Sequence, residues 1–222
     1  MPRLRRVVVP GLPHHIVQRG NRRSNIFGDD RDRLVFLRIL KQASGIHSLT
    51  HFAYSLMTNH FHLVSRPEHD ASLSAAMRDT LGPYAIYFNQ KYGLSGRLWQ
   101  GRFFSVVVDQ TRFWEVIRYT ERNPVRAGMV KRAEEYYWSS AAAHCFGKED
   151  VLIQPLPSIP SMIGSWSEWL NGAENDRDLR QIRTNTKTGR PYGSEEFVKA
   201  LEAVLGRELL VRRRGRPKKE IG

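Results

Sequence analysis

The spacing of apolar and polar positions along the chain changes several times, and each change marks an element. His14-His15-Ile16-Val17-Gln18-Arg19-Gly20 has a strand's composition and length, closed by Gly20-Asn21 and a basic loop carrying Arg22 and Arg23. Asp29 or Asp30 can cap the helix that follows, in which Leu34, Phe36, Leu37, Ile39 and Leu40 keep helical spacing to about Gly45. Ser48 to Met57 and His60 to Ser65 read as two further strands, and the short Met57-Thr58-Asn59 connection makes them a hairpin. From Ser72 to about Tyr92, Leu73, Ala76, Met77, Leu81, Tyr84, Ala85 and Phe88 return to helical spacing, with Gly82-Pro83 expected to kink the segment or split it in two. Gly93 to Gly101 is a loop and Phe103 to Val108 a β-branched strand. Thr111 to Arg122 is a helix that must stop near Asn123, because Pro124 disfavours helical backbone before it.

The resulting order, βαββαβα, includes a hairpin among alternating strands and helices. It predicts an α+β fold: a mostly antiparallel, ferredoxin-like sheet covered by helices on one face. Pro155, Pro157 and Pro160 fall in a stretch with little amphipathic pattern, so a main domain is expected over 1–146, a linker over 147–165 and a small helical C-terminal region over 166–222. In that region Ser194 caps a helix lined by Phe197, Ala200, Leu201, Val204 and Leu205 and stopped by Gly206, and a basic tail follows.

At 222 residues the chain can bury one sizeable core. No apolar run is long enough to cross a bilayer. The formal net charge of +13 favours a polyanionic partner, nucleic acid first. The single cysteine, Cys145, excludes an internal disulfide and any thiolate zinc site within one chain, so a metal here needs His, carboxylate or amide ligands. Met1 to Pro10 is basic, with too short an apolar stretch for a signal peptide, and reads as a basic arm.

Against that background His60-Phe61-His62 matters most. Residues two apart on a strand face the same way, so Phe61 and Leu63 can be buried while two imidazoles stay available on the other side. Alone the pattern is weak, since strands carry polar residues on their open faces as a matter of course. The helix at Thr111 to Arg122 offers partners. With Tyr119 as zero on a wheel of about 100° per residue, Arg112, Glu115 and Asn123 lie within roughly 40° of it, whereas Phe113, Trp114 and Ile117 cluster on the far side. Tyr119 is therefore expected on a polar stripe, one turn before an Asn123 amide oxygen able to bind a hard cation.

These residues resemble the single-tyrosine, insertion sequence 200-like transposases of the HUH endonuclease superfamily, particularly the REP-associated tyrosine transposases of bacteria. The resemblance runs from about Pro10 to Ser140. It rests on Pro10-Gly11-Leu12-Pro13-His14-His15-Ile16-Val17-Gln18-Arg19-Gly20-Asn21, on Leu56-Met57-Thr58-Asn59-His60-Phe61-His62-Leu63-Val64 and on Leu98-Trp99-Gln100-Gly101-Arg102-Phe103. Arg118-Tyr119-Thr120-Glu121-Arg122-Asn123-Pro124-Val125-Arg126-Ala127-Gly128-Met129-Val130 and Tyr137-Trp138-Ser139-Ser140 complete it. It implies the HUH endonuclease fold, Tyr119 as nucleophile, and a divalent metal, Mg²⁺ or Mn²⁺, on His60, His62 and Asn123. It further implies cleavage and rejoining of single-stranded DNA at hairpin-flanked repeat or insertion-element ends through a 5′-phosphotyrosine. A monomer or homodimer in the bacterial cytoplasm, associated with the nucleoid, is the expected state.

Arg19, Arg22, Arg23, Arg97 and Arg102 are candidate phosphate contacts and Trp99 a candidate stacking platform, each weighed against a solvated arginine or a loop-anchoring indole. One of His14 and His15 can share the face of the His pair, and a packing or DNA-proximal role is expected for them. Tyr136 and Tyr137 lack an adjacent ligand pair and are expected to pack. Arg214 and Arg216 lie in an Arg-Gly-Arg-Pro core like that of minor-groove AT-hook peptides; the other reading is a basic tail of nonspecific DNA affinity. The alternative to an enzyme is a non-catalytic DNA-binding regulator of the same fold.

Overall fold

The computed structural model describes residues 6–157 and 163–210. Strands β1 (His14–Arg19), β2 (Leu49–Met57), β3 (His60–Pro67) and β4 (Phe104–Val107) form one antiparallel sheet in the order β2-β3-β1-β4. Helix α1 (Asp30–Ile46) joins β1 to β2, and α2 (Ser72–Tyr92) joins β3 to β4. This is the expected ferredoxin-like topology. Met57 pairs with His60 across Thr58-Asn59, so β2 and β3 form a two-residue hairpin.

Local chemistry fixes where the helices begin. Asp29 caps α1: its carboxylate accepts from the Asp32 N–H, and the Asp32 carboxylate accepts from the Asp29 N–H. Fully buried, Asp32 also accepts from Lys91 Nζ at 2.6 Å and from the Tyr87 and Tyr92 hydroxyls, tying the start of α1 to the end of α2. Helix α2 runs unbroken through Pro83. Gly82 and Pro83 are exposed, so the hydrogen bond that proline forfeits is lost where water can replace it.

On the first face of the sheet, Ile16, Tyr54, Leu56, Phe61 and Leu63 pack under Phe36, Leu37 and Leu40 of α1 and Leu73, Met77, Leu81 and Tyr84 of α2. The second face is covered as well, where the sequence pattern placed helices on one side only. Helix α3 (Phe113–Glu121) lays Phe113, Val116, Ile117 and Tyr119 against Phe52, Ala53, Val64 and Val106. The short α4 (Asn123–Arg126) and α5 (Ala141–Phe146) follow, then the C-terminal helices α6 (Trp166–Asn171), α7 (Asp176–Thr188) and α8 (Glu195–Leu205). Trp166, Leu170, Ile182 and Tyr192 join the core under α3. A helical wheel sees one helix at a time, and α3 is buried on more than one side.

The C-terminal region is joined to the sheet by backbone. Tyr192 donates its N–H to Val107 O at 2.9 Å and accepts the Asp109 N–H at 2.8 Å, in parallel pairing with Val108. The stretch expected as a linker contributes Leu152 and Ile163 to the two cores. Among the described residues no helix is long and apolar enough to cross a membrane. The basic arm from Met1 to Arg5, Pro160, and the tail carrying Arg214 and Arg216 lie outside the described residues.

Candidate active site

Sheet register places three histidines on the second face. Across β1 and β3, Val17 lies opposite His62, His15 opposite Val64 and Arg19 opposite His60, so His15, His60 and His62 share one side. His15 Nε2 and His62 Nδ1 are 2.9 Å apart, with the rings nearly coplanar at 13°. His15 Nδ1 in turn meets Thr186 Oγ1 of α7 at 3.0 Å. His60 Nδ1 meets Asn59 Oδ1 at 2.6 Å. Both members of the predicted ligand pair therefore have Nδ1 engaged and Nε2 left for a cation.

Burial keeps these rings neutral. It pushes the His15 pKa down to about 3 and that of His60 down to about 4, with the Arg19 charge adding to the second. His62 is held well below the ordinary value, chiefly by burial and then by His60 and His15. A neutral imidazole with a free lone pair is the form that binds metal.

Helix α3 delivers Tyr119 to the same place. Its ring meets those of His15 and His62 edge-on, at centroid distances of 5.5 Å and 5.8 Å, and His60 lies 5.1 Å from His62. The Arg126 guanidinium sits 4.3 Å over the Tyr119 ring and donates to the Tyr119 carbonyl. Glu174 holds Arg126 at 2.7 Å and Arg122 at 3.0 Å.

Tyr119 is only 7% exposed and Asn123 is buried as well, so this end of the expected polar stripe is covered, while Arg112 and Glu115 stay partly exposed. Glu115, paired with Arg112 at 2.7 Å, also accepts the hydroxyl of Tyr192 from the C-terminal region at 2.8 Å. Asn123 lies at the junction where α3 ends and α4 begins. Its Nδ2 donates to the Tyr119 and Thr120 carbonyls at 3.0 Å and 3.1 Å, which leaves Oδ1 as the free donor atom. Among the described residues no group of three or more His, Cys, Asp or Glu is placed to hold a metal ion.

The candidate DNA contacts divide. Arg19 faces the site beside His60. Arg22 and Arg23 are exposed in an adjoining turn, both left-handed with φ of 52° and 64°, and Asn59 Nδ2 donates to the Arg23 carbonyl at 3.2 Å. Arg97 is exposed on the 93–101 loop, and Arg102 lines a small basic pocket with Arg6 and Lys187. Trp99 does not project as a stacking platform. Its Nε1 donates to Leu81 O at 2.9 Å and its ring packs on Phe61 and Tyr84, so it anchors its loop to the core.

His14 and Tyr136 behave as the expected packing groups, whereas Tyr137, also expected to pack, does not. His14 bonds Leu12 O at 2.9 Å, and Tyr136 donates to Leu56 O at 2.8 Å. Tyr137 is 78% exposed. Residues that sequence reasoning missed are Thr186 and Arg126, together with the position of His15 against His62. The signal for His15 was present, since it alternates with the strand, but only the register selects it over His14.

A REP-associated tyrosine transposase solved with a REP hairpin shares the fold at a TM-score of 0.56 and 20% identity, over 70% of this chain and 92% of that one. A candidate transposase from Deinococcus radiodurans aligns over 55% of this chain and 97% of that one, at 18% identity and a TM-score of 0.37. No curated protein sequence matches the chain significantly. Residues 8–123, more than half the chain, match the family described as IS200-like transposases. That stretch begins ahead of β1 and ends on Asn123, and the chain belongs to the IS200-like transposase family.

Proposed function

We propose that this transposase cuts and rejoins single-stranded DNA beside hairpins at repeat or insertion-element ends, using Tyr119 as nucleophile and a Mg²⁺ or Mn²⁺ ion on His60, His62 and Asn123. The observation that carries the reading is the convergence of Tyr119, from α3, on the His60–His62 pair of β3. The donor set suits such an ion: two neutral imidazole nitrogens and one amide oxygen, with room in the coordination sphere for water and phosphate oxygens. The hairpin is the form of DNA bound by the similar REP-associated transposase.

The chain's own groups have distinct tasks. His15 and Asn59 fix the ligand rings through their Nδ1 atoms, and Arg126 fixes the Tyr119 ring from above. The Tyr119 oxygen forms a bond to phosphorus as the bond from phosphorus to the 3′ oxygen breaks. The phenol proton is given up and the departing 3′ oxygen takes up a proton, leaving a 3′-hydroxyl and a 5′-phosphotyrosine. Because one phosphoester replaces another, the reverse step rejoins strands without ATP. What the bound cation supplies is polarisation of a non-bridging oxygen and alignment of the phosphate. Arg19, Arg22 and Arg23 are the side chains next to His60 that can hold the DNA backbone.

The test is a covalent adduct. Incubated with single-stranded hairpin oligonucleotides and Mn²⁺, the wild-type chain is expected to give a protein–DNA band on a denaturing gel, and Tyr119→Phe none. An adduct that survives Tyr119→Phe overturns the assignment. His60→Ala is expected to lose cleavage far more than DNA binding; equal loss of both makes His60 a structural residue.

A further inference from the structure

We propose that Thr186 positions the ligand His62 through His15, so that helix α7 of the C-terminal region completes the metal centre. The inference rests on the reading of His60 and His62 as ligands. It names two positioning residues, and one of them lies far beyond the segment that defines the family.

The geometry is a three-membered chain: His62 Nδ1 to His15 Nε2 at 2.9 Å, then His15 Nδ1 to Thr186 Oγ1 at 3.0 Å. Protons can be arranged along it in two directions. In one, His62 Nδ1–H donates to His15 Nε2, and His15 Nδ1–H donates to the threonine oxygen. His62 Nε2 then carries a lone pair and can bind a cation. In the other direction the threonine hydroxyl donates to His15, His15 donates to His62, and the remaining proton sits on His62 Nε2. That arrangement cannot bind a cation.

The direction that suits a metal therefore needs an acceptor at the far end. Both rings are buried, and a buried N–H without a partner is costly. Carboxylates, backbone carbonyls or waters ordinarily perform this task behind a ligating histidine. Here it falls to an imidazole and then a hydroxyl 171 residues further along the chain. Thr186 reaches it because α7 lies across β1 and β4, where its Ile182 is buried in the core under α3.

Mn²⁺ titration of the full chain by calorimetry, without DNA, tests this. Thr186→Val keeps the side-chain volume and removes the acceptor; His15→Phe keeps a ring and breaks the first link. Each is expected to weaken Mn²⁺ binding by about 10–100-fold, the usual effect of losing an outer partner of a ligand, while Thr186→Ser retains wild-type affinity. Thermal unfolding of the metal-free variants checks that each is folded, with Thr186 itself only partly buried. Wild-type affinity in Thr186→Val overturns the proposal, as does a Thr186→Ser variant as weak as Thr186→Val, which would make the effect one of packing. His62→Ala separates the two readings: if the wild type shows no Mn²⁺ binding that His62→Ala removes, the metal reading itself fails and the relay falls with it.

Discussion

An imidazole competes for a metal only while it is unprotonated, and the burial of His60 and His62 sets how far into acid that condition holds. With the His60 pKa pushed down to about 4, protons displace a cation only near that value. Mn²⁺ affinity measured by calorimetry is therefore expected to stay level from pH 7.5 to 5.5, where a solvent-exposed histidine pair would already be losing it. The same burial carries a folding consequence. His14, His15 and His51 sit near 4, 3 and 3 in the folded chain, below the ordinary 6.5. Between those values the unfolded chain takes up protons that the folded one refuses, so stability present above pH 6.5 is lost as pH falls toward 4. Melting temperatures should be flat from pH 8 to 7 and drop steadily below 6.5. Single residues differ in how openly the sequence displays them: His60, His62 and Tyr119 stand in local motifs. His15 needs a strand register to be chosen over His14, and Thr186 depends on a contact spanning most of the chain.

Helix α3 shows how an element is shaped by what lies at its ends. Pro124 halts it, Asn123 occupies the break, and one turn later Arg126 folds back over Tyr119. Glu174, in the turn before α7, clamps this junction by pairing with both Arg122 and Arg126, and all three side chains are close to nine-tenths buried. Removing its charge leaves two guanidinium groups in a nearly dry setting. Glu174→Gln is expected to cost about 3 kcal/mol of stability, read as a lower urea midpoint, and to loosen the Tyr119 ring. The end of α3 was legible because a proline three residues past its last residue is a local rule. Its burial was not, because Arg112, Glu115 and Asn123 have the look of a solvated stripe, and the Tyr192 hydroxyl that bonds Glu115 comes from 77 residues further along the chain. Trp99 illustrates the converse, an aromatic in a basic loop whose indole is taken up by Leu81.

At the scale of the whole molecule, the boundary of the family and the boundary of the core do not coincide. The matched segment ends at Asn123, yet Trp166, Leu170, Ile182 and Tyr192 pack against α3 as part of the same apolar cluster. A chain ended after residue 157 should therefore lose its sharp thermal transition and bind the dye ANS, while keeping much of its far-ultraviolet signal. Full retention of cooperative unfolding would show that the first 157 residues stand alone. The ferredoxin-like order was readable because strand and helix periods are local. The second layer over the sheet was not, because it depends on which distant helix arrives there. That arrival has a clock. At a synthesis rate of about 5–20 residues per second, the stretch from Asn123 to Tyr192 takes several seconds to emerge. For that interval helix α3 and its sheet exist on the ribosome without that cover, and apolar surface that the finished chain buries stays open to solvent.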